Sequence, residues 1–339
     1  MSVADQIRRI KNAKAAIKEA IQNKGVAIGD DAKLDDYPRY INSIEAGSGS
    51  DSDYTWPDFF EMRKQGKFGT QYLFTNMIIY ESDTKYIELI ENLDVSNSVW
   101  FTETFSYFCN PNHDISAPNG ALKELDLTKW DVSKGVSFSN MFGYCYLDYL
   151  DISGWDFSNF SSSSYTQLFY GTRIKEVNMS NCNIGHITSH YRFFYQASNT
   201  VSINMTGCDT SKATNMNSMF GGCSSLTTIT GEIDASNLTS GLYPGSSSNP
   251  FYKCSSLETV YIKNIYKDIA VTNTSKFSID LGVTKVKDEC LVYIIDQLPN
   301  LADKGITNNT AIKLTLPTIN TLTDEQKQVA RDKGWIVVN

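Results

Sequence analysis

From about residue 120 to 265, apolar and polar positions alternate in short bursts that return at one period. LKELDLTKWDVSKGVSFSNMFGYC (122–145), LDYLDISGWDFSNFSSSSYTQLFYGT (147–172) and IKEVNMSNCNIGHITSHYRFFYQAS (174–198) align with one another. TVSINMTGCDTSKATNMNSMFGGC (200–223) and LTTITGEIDASNLTSGLYPGSSSNPFYKC (226–254) continue the series, so the starts step by 25, 27, 26 and 26 residues. A looser copy, Ile90–Cys109, precedes them, and a truncated one, LETVYIKNI (257–265), follows. One phenylalanine recurs in each copy: Phe105, Phe142, Phe169, Phe194, Phe220 and Phe251. Pairs such as Leu125 and Leu127, or Leu150 and Ile152, predict a short strand that cannot bury its inner face alone. Stacking the copies at a strand spacing of about 4.8 Å turns the repeated positions into continuous columns, which predicts a β-rich solenoid.

The flanks follow other patterns. Val3, Ile7, Ile10, Ile17 and Ile21 trace a heptad seam, which predicts an amphipathic helix ended by Gly25. Isoleucine at both seam positions favours three or four strands over two, so these five residues are the candidate oligomerisation or docking residues, in a homotrimer or folded back on the chain. Residues 1–46 are thus a helical anchor and 47–53, within AGSGSDSD, a flexible linker. The solenoid spans 54–282, with TWPDFFEMRKQG (55–66) as an N-terminal lid. In 283–339, VKDECLVYIIDQLPNL reads as a helix, AIKLTLP as a strand, TDEQKQVARDKG as a helix with a Thr323–Gln326 capping box, and WIVVN as a closing strand. Such a small α/β segment would cap the exposed apolar end of the solenoid.

The cadence LxxLDLSxWDxS…MFxxCxxL resembles the BspA-like leucine-rich-repeat family, well over 120–265 and loosely over 86–119. That resemblance implies a leucine-rich-repeat solenoid of the kind seen in surface proteins of gut and oral bacteria, mycoplasma lipoproteins and their phages. Two copies depart from it. Cys182 and Asn183 replace the Trp-Asp step of the third, and the fifth carries an insertion around Gly241–Asn249. Both coils are expected to bulge and to interrupt any uniform surface strip. The opening IRRIKNAKAAIKEAIQNKGVAI…LDDYPRYINSI is similar to a module that begins many virion-associated proteins of gut, crAss-like bacteriophages. It implies a virion protein assembled in the host cytoplasm, a head or tail fibre or decoration subunit, with other virion proteins and a host surface glycan or protein as partners. A bacterial cell-surface adhesin is the alternative; a carbohydrate-active enzyme is a third reading.

Composition narrows these readings. A chain of 339 residues exceeds one ordinary globular core, which suits an elongated array. Residues 1–25 carry +4 on a chain of −8, so the remainder carries −12, which argues against nucleic-acid binding. No apolar run reaches membrane-spanning length, and the opening lacks the continuous apolar stretch of a secretory signal, so neither membrane insertion nor export is expected. Seven cysteines without a CxxC read as reduced thiols, with Cys145, Cys223 and Cys254 filling one core column.

No catalytic constellation, metal site or cofactor motif is visible, so the protein is read as non-enzymatic. His186 and His190 have the spacing of a helical zinc pair, but Gly185 and a repeat turn make them surface histidines. The Asp-x-Ser steps at 131, 156, 209 and 234 read as turns that begin on an Asp, with a row of stacked Asp as a calcium alternative. Recognition is expected where loops break the repeat. These are Asn110–Gly120, with Asn110, Asn112, His113 and Asn119, and Gly241–Asn249, with Tyr243, Ser247 and Asn249.

Overall fold

The computed structural model describes residues 14–15, 17–18, 73–75, 78–109, 120–161, 167–239, 247–268, 278–307, 309 and 311–338. The chain divides into two units, Met1–Phe68 and Gly69–Asn339. In the first, residues 14, 15, 17 and 18 are helical, so Ile17 of the seam lies in a helix. Val3, Ile7, Ile10 and Ile21, the 47–53 linker and the 55–66 lid lie outside the described residues.

The second unit opens with helix α1 (Thr84–Glu91), followed by strands β1 (Glu124–Asp126), β2 (Tyr149–Asp151), β3 (Glu176–Asn178), β4 (Ser202–Asn204), β5 (Thr228–Asp234) and β6 (Thr259–Lys263). These six form one parallel sheet in the order β1-β2-β3-β4-β5-β6. Leu125 pairs with Leu150, Leu150 with Val177, Val177 with Ile203 and Ile203 with Ile229, so each coil advances the sheet by one strand. That is a β-solenoid. In the short strands only the central residue points inward, and Leu125, Leu150, Val177 and Ile203 are all buried.

The strands stay short because local polar chemistry turns the chain. Asp126 Oδ1 accepts the Thr128 amide at 2.9 Å, and Asp151 Oδ1 the Ser153 amide at 2.8 Å. Asn178 and Asn204 repeat the motif with Ser180 and Thr206. A second corner follows, where Asp131, Asp156, Asp209 and Asp234 accept the amides of Ser133, Ser158, Ser211 and Ser236 at 2.8–3.0 Å. A side chain that bonds two residues ahead replaces the ladder bond and bends the backbone. The Asp-x-Ser steps are therefore turns, as the repeat implies.

The third corner holds the repeated phenylalanine. Phe74, Phe105, Phe142, Phe169, Phe194, Phe220 and Phe251 form a continuous stack, each ring centroid 4.5–5.9 Å from the next. These separations lie in the favourable range for offset aromatic stacking, so the column adds to its area burial. Two residues beyond each ring from Phe105 onward the backbone is left-handed, at Tyr107, Tyr144, Gly171, Gln196, Gly222 and Lys253 (φ 54–85°).

A neighbouring column contradicts one expectation. Trp130 Nε1 donates to the Ile90 carbonyl and Trp155 Nε1 to the Leu127 carbonyl, both at 2.8 Å. In the next two coils Cys182 Sγ donates to the Ile152 carbonyl (3.2 Å) and Cys208 Sγ to the Met179 carbonyl (3.0 Å). The third coil therefore does not bulge: β2, β3 and β4 run in unbroken register. In the fifth coil the register shifts inside β5, between Thr228 and Glu232, while residues 241–246 of the insertion lie outside the described residues. Gly231 permits it, with φ +96° and a position where a Cβ would lie 2.8 Å from the Met205 carbonyl carbon.

The chain ends with β7 (Ile279–Asp280), α2 (Asp288–Asp296), β8 (Lys313–Thr315), α3 (Asp324–Asp332) and β9 (Ile336–Val338), whose strands form a parallel sheet ordered β7-β8-β9. The capping box is present: the Gln326 amide donates to Thr323 Oγ1 at 3.2 Å, and the Thr323 amide to Gln326 Oε1 at 2.8 Å. The Lys285 and Lys287 amides donate to the Leu257 and Glu258 carbonyls at 2.8 and 2.9 Å, which ties this segment to the last coil. Among the described residues, no helix is long and apolar enough to cross a membrane.

Candidate functional site

All seven cysteines are free and buried. Burial pushes the thiols of Cys109, Cys182 and Cys254 up to about 12 and that of Cys208 to about 11, and holds Cys145 and Cys223 well above the ordinary range. Such thiols are poor nucleophiles and poor metal ligands. The Cys145, Cys223 and Cys254 column is as expected, with one addition: Cys223 and Cys254 each donate to the carbonyl of the preceding coil's Phe, Phe194 and Phe220, at 3.1 Å.

His190 departs from its expected surface position. It is fully buried, and neither ring nitrogen has a hydrogen-bond partner. It stands four residues before Phe194, where other coils place Phe101, Phe138 and Met216 before Phe105, Phe142 and Phe220. The coil's inward geometry decides its burial. Burial, with the nearby His186, pushes it down to about 4, so it is neutral at pH 7. His186 is half-buried, with Nε2 3.2 Å from the Phe160 carbonyl.

The carboxylates serve the turns. Burial raises the Asp151 carboxyl, but hydrogen bonds from Ser153, Asn178 and Tyr149 outweigh it and hold the group below its usual range. Asn178 Nδ2 donates to Asp151 Oδ2 at 2.9 Å and Asn204 Nδ2 to Asn178 Oδ1 at 3.1 Å, forming a polar ladder on the outer face of the sheet. Among the described residues, no group of three or more His, Cys, Asp or Glu side chains is placed to hold a metal ion.

The predicted loops are partly placed. Residues 110–119, with Asn110, Asn112, His113 and Asn119, lie outside the described residues, as does Tyr243. Ser247 is exposed, while its carbonyl accepts from Ser218 Oγ. Asn249 is buried: its Nδ2 donates to the Asp280 carbonyl at 2.9 Å and its Oδ1 accepts the Phe251 amide at 2.7 Å. Those bonds give Asn249 a structural task, joining the Phe251 turn to β7.

Sequence reasoning overlooked a second aromatic row, outside the phenylalanine stack. Tyr107 and Tyr144 stack at 4.7 Å, Tyr144 meets Tyr170 edge-on at 5.4 Å, and Tyr170 stacks on Tyr195 at 6.0 Å. All four are half-buried. Tyr107 and Tyr144 lie two residues after their Phe, but Tyr170 and Tyr195 lie one after. The row continues because Gly171 makes room: a Cβ there would meet Tyr144 Cε1 at 2.7 Å. The Arg192 guanidinium lies 5.0 Å from the Tyr191 ring centroid and 4.6 Å from that of Tyr195, and Lys253 Nζ 5.3 Å from that of Tyr252. The legible signal was a tyrosine one or two residues after the repeated Phe.

Short parallel strands, one per coil, with Asx turns and a phenylalanine corner define a BspA-like repeat protein. The family model described as "Mycoplasma protein of unknown function, DUF285" matches residues 59–173, 118–204 and 163–268, more than half of the chain, and the chain belongs to that family. No curated protein and no solved structure matches it.

Proposed function

We propose that this protein is a non-enzymatic bacteriophage virion component, a head or tail fibre or decoration subunit that displays its solenoid surface to a host or partner. The observation that carries this reading is the pairing of a BspA-like array with an opening segment, IRRIKNAKAAIKEAIQNKGVAI, similar to the module that begins virion proteins of gut phages. In this reading the Ile7, Ile10, Ile17 and Ile21 seam gathers three copies or docks them on other virion proteins, in particles assembled in the host cytoplasm. The segment from β7 to β9 caps the array, since the end of a stacked core needs a cover. Buried thiols and carboxylates committed to turns support display over catalysis. Mass spectrometry and antibody labelling of purified particles test it: the protein is expected at fixed stoichiometry on the virion, and its absence there overturns the proposal.

The family match over residues 59–268 favours a second reading, a bacterial surface adhesin of the BspA-like type. Labelling of intact uninfected cells separates the two.

A further inference from the structure

Two cysteine pairs occupy equivalent positions in successive coils. Cys182 and Cys208 each stand three residues after a buried methionine, Met179 and Met205, and Cys223 and Cys254 three after Phe220 and Phe251. The backbone is in register at both places. The Met179 and Asn181 amides donate to the Asn204 and Thr206 carbonyls at 3.0 and 2.7 Å, which sets Cys182 beside Cys208. The Phe220 and Gly222 amides donate to the Pro250 and Tyr252 carbonyls at 2.9 and 2.7 Å, which sets Cys223 beside Cys254. In-register neighbours of a parallel stack stand about 4.8 Å apart. That separation lies inside the span of about 4.4–6.8 Å between the Cα atoms of a cystine.

The side chains of each pair are neighbours as well. Burial and then the Cys208 thiol raise Cys182, and burial and then the Cys254 thiol raise Cys223. All four thiols point the same way, donating to the Ile152, Met179, Phe194 and Phe220 carbonyls of the preceding coils at 3.0–3.2 Å. Turning one Sγ of a pair toward its neighbour gives up only that weak bond. Each carbonyl also accepts an amide, from Trp155, Cys182, Ala197 and Cys223 respectively, at 3.0–3.3 Å. A cystine is neutral and leaves no buried donor unpaired, so it suits an apolar column. The remaining cysteines are placed differently. Cys145 is in register with Phe108 on one side and Thr172 on the other, Cys109 stands one residue past Phe108, and Cys290 lies in α2.

We propose that Cys182–Cys208 and Cys223–Cys254 are latent inter-coil disulfides, formed when the chain meets a small-molecule disulfide, that tie the coils at 174–198, 200–223 and 226–254 together. The seven free thiols of the structure are the reduced form, and the two bridges are its oxidised counterpart. Each bridge joins two sulfurs by one S–S bond and releases two protons and two electrons. The S–S bond of the oxidant takes them up through a mixed disulfide and breaks into two thiols. Buried, weakly acidic thiols exchange only while a coil is open, so the bridges close during folding or local opening. They brace the stretch that holds His190, whose ring nitrogens lack partners, and the register shift in β5.

The test unfolds the full chain in urea with reductant, then refolds it in glutathione mixed with its disulfide and, in parallel, in reductant alone. Remaining thiols are blocked and the peptides are mapped by mass spectrometry without reduction. Links from Cys182 to Cys208 and from Cys223 to Cys254 are expected, with Cys290 blocked. The oxidised form is expected to unfold at a higher urea concentration than the reduced one, because a bridge restrains the unfolded chain. Cys208→Ser is expected to leave Cys182 open to blocking and the Cys223–Cys254 link intact. Reduced protein held just below its thermal midpoint with glutathione disulfide gives a second measurement, which decides if the chain does not refold. Folded product that leaves either pair unlinked in both measurements, or links it to other cysteines, overturns the proposal. So does an oxidised form no more resistant to urea than the reduced one, since its bridges would not belong to the native coils.

Discussion

Cys182 stands one coil beyond Trp155 and repeats its hydrogen bond. The Trp155 indole donates to the Leu127 carbonyl at 2.8 Å, and the Cys182 thiol to the Ile152 carbonyl at 3.2 Å. The two side chains differ greatly in volume, yet each points a donor along the solenoid axis at the coil before. What the column conserves across coils is the donor, not the ring. Cys182→Val, of similar size but without a donor, is expected to cost about 1 kcal/mol, because the Ile152 carbonyl keeps a weak bond from the Trp155 amide at 3.3 Å. Cys182→Ser should lie closer to the parent in urea unfolding.

The phenylalanine stack sets the cost of a core cavity. Phe142 and Phe220 are completely buried, each between two ring neighbours. Phe142→Ala and Phe220→Ala are each expected to lose about 3–5 kcal/mol, read as a drop in the denaturation midpoint. Replacing residues 241–246 by a short turn that leaves Asn249 in place should change stability far less.

His190 predicts a pH dependence with a definite sign. Its folded value is about 4 against an ordinary 6.5, so between these values the unfolded chain binds the proton more strongly. Stability is therefore full above about pH 6.5 and declines as pH falls toward 4, by on the order of 3 kcal/mol in all. Asp131, Asp151, Asp209 and Glu232 have lowered values, so their contribution is lost only below the ordinary carboxylate range. His190→Phe, matching Phe138 of an earlier coil, is expected to flatten the denaturation midpoint between pH 6.5 and 5. A parent-like slope in that variant would refute the assignment.

Thiol reactivity is a further check. With every cysteine buried and those of the core columns raised to about 11 or beyond, the native protein should resist alkylation at pH 8. Unfolding without reductant is expected to expose seven alkylatable thiols by mass spectrometry.

Under the anchor reading, deletion of residues 1–46 leaves a soluble, folded monomer that no longer joins the particle, measured by light scattering and particle pull-down. Full occupancy by the truncated chain would move the attachment role elsewhere, first to the segment from β7 to β9.

The sequence by itself determined the features whose physics is local or periodic. An Asp that bonds an amide two residues ahead needs no tertiary information, so the turns at Asp131, Asp156, Asp209 and Asp234 could be read directly. The spacing of Phe142, Phe169, Phe194 and Phe220 required a stack, because equal coils place equal positions in one column. The Thr323–Gln326 capping box is equally local. Only the tertiary structure decided what depends on the contact between coils. A histidine is ordinarily an exposed residue, and His190 is buried because its place four residues before Phe194 faces inward. Cys182 could be recognised as a substitute for tryptophan only once its thiol was seen to reach the Ile152 carbonyl. A register shift falls beside Gly231, where the Met205 backbone excludes a side chain. The tyrosine row crosses from the second residue after Phe142 to the first after Phe169, a shift that Gly171 permits. Those outcomes are set by which atoms of one coil meet the next, and neither period nor composition encodes that.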